Sequence, residues 1–253
     1  MNNNELAIFG LMHIQLDAFD AEPYLMMPWN PSTYAGFIEG AGFQKAKDLL
    51  AWDIDLTVPL GGRIEKLKER LASRRKIRIR PVRMGKREFQ ADLDNLKQVY
   101  RAAWSDNWGF VPPTDAEIDQ LAVELKPIVD PELALFAEVD GALAGCALAL
   151  PDLNQVLRHM NGSLWPFGVI HFLRRRSLIT RGRVLLLGVL PEFRRLGLYP
   201  LLIADLHQRG RQRGYTRAEL SWTLEDNHLV NEGIVAAGGR HSKTYRIYEK
   251  PVG

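Results

Sequence analysis

The strongest constraint on the fold is a junction at residues 184–200. Val184 to Leu190 is an unbroken apolar run, the mark of a strand buried on both faces. It passes directly into Pro191-Glu192-Phe193-Arg194-Arg195-Leu196-Gly197 and then a helix from about Leu198 to Arg213, which Gly214 closes. At the start of that helix unpaired backbone N–H groups converge, and the helix dipole adds about half a positive charge. Arg194 and Arg195 add full charges beside it. A strand that runs through a glycine turn into a helix in this way predicts an anion site, and a pyrophosphate fits it.

The elements around the junction read from periodicity and turn chemistry. Ile77 to Val82 alternates with Arg and predicts a strand with one wet face. Phe89 to Trp104 carries helical apolar spacing through Leu93, Leu96, Val99 and Tyr100. Thr114 and Glu117 form a capping box for a helix that Pro127 stops. Leu133 to Val139 and Ala142 to Leu150 flank Asp140-Gly141, a two-residue hairpin turn. Asp152 is placed to cap a short helix. Strand Arg217 to Trp222, helix Asn227 to Ala237 and strand Lys243 to Lys250 complete the pattern. The order from Ile77 is β-α-α-β-β-insert-β-α-β-α-β, an α+β class with a mixed sheet flanked by helices.

The first quarter of the chain echoes the last. Ala41 to Trp52 can be laid over Ala237 to Tyr248, and in each copy an Asn (Asn30, Asn227) precedes an amphipathic helix, a glycine turn and a short apolar strand. Strands are also expected within Glu5 to Leu16 and Tyr24 to Trp29. The expected organisation is a partial N-terminal unit at 1–60, a basic linker helix at 61–76 and a principal domain at 77–253. An incomplete first unit would leave an unpaired sheet edge, so residues 1–60 are expected to mediate a homodimer.

Val189-Leu-Pro-Glu-Phe-Arg194-Arg-Leu-Gly197-Leu-Tyr199 resembles the signature of the GNAT (N-acetyltransferase) superfamily. Its core is Arg/Gln-x-x-Gly-x-Gly/Ala after a strand ending in Val. Glu225-Asp226-Asn227, with Gly238 eleven residues after the Asn, resembles the second signature. The element order matches that fold from Ile77 onward, and 30–53 resembles the tail of a further GNAT unit, as in tandem-domain bacterial members with the first unit truncated.

The resemblance implies transfer of an acyl group, acetyl in the first instance, from acyl-CoA to a small-molecule or peptide amine by direct attack. It implies a pyrophosphate held by Arg194, Arg195, Leu196, Gly197, Leu198 and Tyr199, and a pantetheine arm along the Leu187 to Val189 strand edge and at Asn227. A backbone N–H there would polarise the thioester carbonyl. No metal is implied.

The chain departs from the pattern in several places. Tyr199 stands where the signature is small, and Pro200 removes one N–H from the first helical turn. Arg183 and Val184 stand where many relatives keep a Glu base, and Ile234 where many keep a Tyr acid. Glu219, Ser221, Glu225, Tyr245 and Tyr248 lie near enough to substitute, and Glu225 and Tyr245 are the catalytic residues expected here. These departures also fit a regulatory relative that binds acyl-CoA without turnover. Trp104, Trp108 and Phe110, with Trp165, Phe167 and Phe172 in the insertion, line either a bulky acceptor pocket or a core seam.

Composition narrows the remaining classes. A single cysteine, Cys146, excludes an intrachain disulfide and leads to a cytoplasmic expectation. No apolar stretch reaches the ~18 residues of a membrane span. The net charge of +3 conceals a basic run from Arg63 to Arg87 of a kind that attracts phosphate-bearing partners; a solvated linker helix with a charged face is the expected reading of it, and nucleic acid is not the expected partner. Arg174-Arg175-Arg176 is expected in a solvated loop. The six histidines lack metal-ligand spacing.

Overall fold

The structure is a computed structural model that describes residues 13–72, 76–160 and 178–251. Trp165, Phe167, Phe172 and Arg174 to Arg176 lie outside the described residues, as does the part of the expected Glu5 to Leu16 strand before residue 13; its end forms a strand at Ile14–Gln15.

Among the described residues eight strands form one mixed sheet: β1 (Ile14–Gln15), β2 (Gln44–Asp55), β3 (Ile77–Pro81), β4 (Ala134–Val139), β5 (Ala142–Pro151), β6 (Arg181–Val189), β7 (Arg217–Leu224) and β8 (Arg240–Glu249). They lie side by side in the order β1-β8-β2-β7-β6-β5-β4-β3, and β6 with β7 is the parallel neighbour pair. The described helices are α1 (Tyr34–Gly40), α2 (Gly62–Ala72), α3 (Lys86–Trp104), α4 (Asp115–Leu125), α5 (Asn154–Leu157), α6 (Leu198–Gln212) and α7 (His228–Ala236). The α+β class with a mixed sheet flanked by helices is the observed architecture.

Local chemistry placed most elements correctly. The Asp140-Gly141 turn adopts positive φ at both residues, 53° and 87°, as a primed hairpin turn requires. Thr114 accepts from the Glu117 N–H while the Glu117 carboxylate takes the Thr114 N–H, closing the expected capping box on α4. Two strands start three residues earlier than apolar character alone indicated: β6 at Arg181 and β8 at Arg240. Their early polar residues pair along the ladder, which hydropathy does not register.

Tyr24 to Trp29 is not a strand. Met26 holds a positive φ of 59°, and Pro28 has no N–H to give a ladder, so the segment turns instead. It packs Tyr24 and Met27 against Leu49, Ala51, Tyr245 and Ile247 as a cap on the sheet.

The strand of the first repeat copy has a different place from the one expected. β2 lies between β7 and β8, antiparallel to both, with registers from Leu49–Leu224 to Asp55–Arg217 on one side and from Gln44–Glu249 to Asp53–Arg240 on the other. Both edges of this strand are therefore taken within the chain, and it offers no open edge for a second copy. Its repeat partner β8 is its neighbour in space. Similar sequences here mark similar roles in one sheet.

The two faces carry separate cores. One is built from α6 and α2, where Leu198, Tyr199, Leu202, Ile203 and Ile64 pack on Ile54, Leu135, Ala147, Val184 and Leu220. On the other face Val99 of α3 packs on Phe136, Cys146 and Leu190, while the 14–31 segment covers β2 and β8. The basic run is partly absorbed by structure. Arg80 and Arg83 both bond the buried Asp92 carboxylate, and Arg80 also bonds Glu138.

Candidate functional site

The parallel ladder between β6 and β7 ends at Val184–Leu220, although β6 continues to Val189 and β7 to Leu224. Past that pair each strand is held by its outer neighbour, β6 by β5 and β7 by β2, so the two diverge into a wedge-shaped gap. A bulge starts the divergence: Leu148 faces Leu186 while Ala149 faces Val184, leaving Leu185 unpaired. The added twist of a bulge turns the strand away from its partner. The apolar run expected to be buried on both faces is thus only half-buried at Leu185, Leu186 and Leu187, where no strand covers it.

Alternation decides which backbone groups face the gap. Leu190 N–H bonds Ala144 O, so the even-numbered residues back to Leu186 pair with β5. The N–H and C=O of Leu187 and Val189 consequently point to the open edge.

At the far end of β6 the turn Pro191–Leu196 leads to Gly197, whose φ of 76° only glycine adopts without strain. Gly197 starts α6 with no side-chain cap, so the early amides of that helix keep their donors. Arg195 is exposed beside them, whereas Arg194 is anchored to the end of α3 through Ala103 O and the Asp106 carboxylate, each at 3.0 Å. Leu196 is half-buried and Leu198 fully buried, so each offers its main chain rather than its side chain. Tyr199 is also buried: Gly233 of α7 lets it approach, since a Cβ there would stand 3.0 Å from the Tyr199 Cβ. Burial raises the Tyr199 phenol above its ordinary range.

Asn227 opens α7 without capping it by its side chain. Asn231, not foreseen from the sequence, instead ties down the end of β7 by bonding Leu224 O at 3.0 Å. Ile234, at the position where many relatives carry a Tyr, is fully buried in the α6 core.

The floor of the wedge is a buried polar cluster. Ser221 is the first β7 residue beyond the last β6–β7 pair. Its hydroxyl donates to Glu219 Oε1 at 2.9 Å, and Lys243 Nζ donates to Glu219 Oε2 at 3.0 Å. Arg183 donates from Nε to Ser221 Oγ at 3.0 Å, from Nη2 to Ser221 O at 3.1 Å and from Nη1 to Leu25 O at 2.9 Å. Arg183, Glu219, Ser221 and Lys243 are all buried. Burial pulls the Arg183 guanidinium down to about 10, although Glu219 opposes the change. Alternation on β6, β7 and β8, with β2 between the last two, brings these residues together, with Tyr245, on the face opposite α6.

The two expected catalytic residues differ in setting. Glu225 faces β2, where Lys45 Nζ at 2.8 Å and the Asp48 N–H at 3.1 Å occupy its carboxylate. The Lys45 hydrogen bond holds its pKa below the usual carboxylate range, which suits an ion pair better than a base. Tyr245 lies in the polar cluster, fully buried, and burial pushes its phenol above the ordinary range. Tyr248 bonds Glu39 at 2.9 Å, on the side of β8 towards α1.

Aromatic residues stand on one rim. The Trp104 ring lies directly on Gly188, where a Cβ would approach it to 2.4 Å, so glycine is required for that contact. Tyr100 stacks on Trp104 with centroids 4.9 Å apart and meets Phe110 at 5.7 Å. Trp108, 43% exposed, receives Lys47 of β2 over its ring. Among the described residues no group of three or more His, Cys, Asp and Glu is placed to hold a metal, and no helix is long and apolar enough to cross a membrane.

Comparison with known proteins agrees with this geometry. Residues 93–231 match the model of the Acetyltransferase (GNAT) family. The chain is 35% identical over 242 residues to "Bacterial ceramide synthase" of Caulobacter vibrioides, covering 92% of this chain and 61% of that protein. It is 34% identical over 244 residues to "Protein YghO" of Escherichia coli, covering 94% and 62%. The chain therefore spans about three-fifths of the length of these curated relatives. Among solved structures, a GCN5-related N-acetyltransferase from Sphaerobacter thermophilus superposes with a TM-score of 0.58 at 16% identity, covering 87% of this chain and 56% of that one. A tandem GNAT protein from the clavulanic acid biosynthesis pathway gives 0.50 at 15% identity, with coverage of 90% and 61%. The splayed parallel pair, the glycine turn that opens α6 and the matched residues place this chain in the GNAT acetyltransferase family.

Proposed function

We propose that the chain transfers an acyl group from an acyl-CoA to the nitrogen of a lipid-like amine by direct attack. The observation that carries this reading is the opened edge of β6, which presents the Leu187 and Val189 backbone groups beside the uncapped start of α6. The diphosphate would lie on the main chain from Arg195 to Tyr199. The pantetheine arm would run along Leu187 to Val189 and reach Asn227, and Arg194 would set the position of the turn. The amine nitrogen attacks the thioester carbon, the C–N bond forms, the C–S bond breaks, and the nitrogen loses a proton while the sulfur leaves as thiol. A Leu187 or Val189 N–H would hold the developing oxyanion; removing one such donor typically costs about 10²–10³ in rate.

For the proton acceptor we favour Glu219 acting through the Ser221 hydroxyl, because Glu225 is engaged by Lys45 and Asp48. Tyr245 adjoins the same cluster and remains the proposed acid. The aromatic rim of Trp104, Trp108 and Phe110 suits an apolar acyl or acceptor chain, as does likeness to a protein named for ceramide, an N-acylated long-chain amine. The test is release of free CoA from thioesters of increasing acyl length in the presence of short and long amines. Turnover that rises with acceptor length supports the reading; absence of both turnover and binding at millimolar thioester refutes it. Tight thioester binding without turnover would favour the regulatory alternative, which the buried Tyr199 and Ile234 also suit.

A further inference from the structure

Among the described residues, two hydrogen-bond donors at the wedge floor have no partner. The Tyr245 hydroxyl and the Trp222 indole N–H are buried and without partner among the described residues. Buried donors are paired in the great majority of cases, so two together call for an explanation. Their rings meet edge to face with centroids 5.8 Å apart, and the Arg183 guanidinium lies over the Trp222 ring at 5.6 Å. His13 stacks on Trp222 at 4.1 Å and closes that side. Arg183 spends one hydrogen on Ser221 Oγ, one on Ser221 O and one on Leu25 O. Each acceptor of the cluster already takes a hydrogen bond: Glu219 from Ser221 and Lys243, and Ser221 from Arg183. This corner thus has spare donors beside oxygens already in use, and what it can take is an oxygen with free lone pairs.

Its position ties that oxygen to the reaction. Trp222 is two residues beyond the last β6–β7 pair, Val184–Leu220. At about 3.3 Å per residue it stands roughly 7 Å along the opened strand, near the level of Leu186 and Leu187. On the acyl-transfer reading above, the amine nitrogen must reach a thioester carbonyl held at that level. An oxygen held by Tyr245 and Trp222 then belongs to a carbon close to the nitrogen. We propose that Tyr245, Trp222 and Arg183 form the head-group subsite for the acceptor, selecting an amine with a hydrogen-bond-accepting oxygen on a neighbouring carbon. Arg183 and Lys243 set two cations against Glu219, so a 2-amino alcohol, a 2-amino ketone and an α-amino carboxylate present the same chemistry in neutral and anionic forms.

The test measures kcat/KM with one saturating acyl-CoA and acceptors matched in chain length: a plain alkylamine, a 2-amino alcohol and an α-amino carboxylate. Binding of the same three to the CoA-loaded chain is measured by calorimetry. At least one oxygenated acceptor should exceed the alkylamine by about tenfold or more, since a polar site left unmatched discriminates strongly. Trp222→Phe should reduce that ratio to within about threefold and leave the thioester Kd unchanged, with a lower Tm from its lost ring contacts. Tyr245→Phe, at the proposed acid, is read by calorimetry alone, where it should reduce the same binding ratio, leave the thioester Kd unchanged and not lower Tm, because it removes a donor that is already unbonded. Which acceptor wins names the neutral or the anionic form. Equal use of the alkylamine, or a ratio that survives both substitutions, overturns the subsite and leaves an interior water as the partner of these donors. If no acceptor is acylated but calorimetry shows the selective binding and its loss in the variants, the subsite stands and the acyl-transfer reading falls.

Discussion

Replacing Lys243 with Met tests whether the polar cluster is a true interior feature of the sheet. The Lys243 and Glu219 side chains are 4% and 1% exposed, with 3.0 Å between Nζ and Oε2. Removing the cation leaves Glu219 with the Ser221 hydroxyl as its remaining donor, and breaking one side of a buried pair costs about 3–5 kcal/mol. For a chain of this size each kcal/mol moves Tm by about 2–4 °C, so Lys243→Met should lower Tm by about 6–20 °C. Glu219→Gln strands the ammonium and should fall in the same range. The double variant Lys243→Met/Glu219→Gln removes the pair but leaves the buried Arg183 guanidinium, so it should cost no more than either single variant, giving a coupling of at least about 3 kcal/mol. Urea and thermal unfolding of the three variants and the parent give the cycle. A Lys243→Met cost below about 1 kcal/mol would mean that the pair is solvated, and both the proposed proton relay and the head-group subsite would lose their floor. Activity adds an independent readout: Glu219→Gln should retain thioester binding and lose turnover, whereas a purely structural pair would lower both in proportion to the unfolded fraction.

Other consequences are as direct. Leu187→Pro removes an N–H that faces the gap, so it should lower turnover by about 10²–10³ while costing less stability than Gly188→Pro, which removes a ladder bond to β5; unfolding and steady-state kinetics compare the two. Gly188→Ala forces the Trp104 ring off the strand and should cost about 1–3 kcal/mol, with a blue- or red-shifted tryptophan emission and a raised acceptor KM; unchanged emission would refute the contact. Asp92→Asn exposes the reliance of α3 on a buried carboxylate. Burial alone would raise the Asp92 pKa, but bonds from Arg80 and Arg83 outweigh it and hold it well below the usual range. A group depressed on folding stabilises above its unfolded pKa of about 3.9 and loses that contribution as pH falls towards the folded value. The parent should therefore exceed Asp92→Asn by about 3–5 kcal/mol at pH 7, with the difference shrinking below about pH 4; a pH-independent difference would refute the assignment.

Much of the fold and half of the site are legible in local sequence. Asp140-Gly141, the Thr114–Glu117 box and Gly197 each impose a backbone geometry through their own chemistry, so nearest-neighbour reasoning reaches them. The same holds for Val189 and the turn to Tyr199, whose donors are main-chain groups offered by the strand-turn-helix order itself. Glu225 shows where that reasoning stops. It reads as a free carboxylate beside the cleft, and its engagement by Lys45 follows from a pairing 180 residues distant in sequence.

Periodicity and turn chemistry thus determined that this chain makes strands, helices and a glycine turn from strand to helix, because those depend on contacts within a few residues. Tertiary structure alone decided that β2 enters between β7 and β8, that the ladder opens after Val184–Leu220, and that Arg183, Glu219, Ser221, Lys243 and Tyr245 share one buried corner. Strand order is a choice among distant partners with similar alternation, and hydropathy carries no label for which strand lies beside which. The charges at the wedge floor became neighbours only once that order was set.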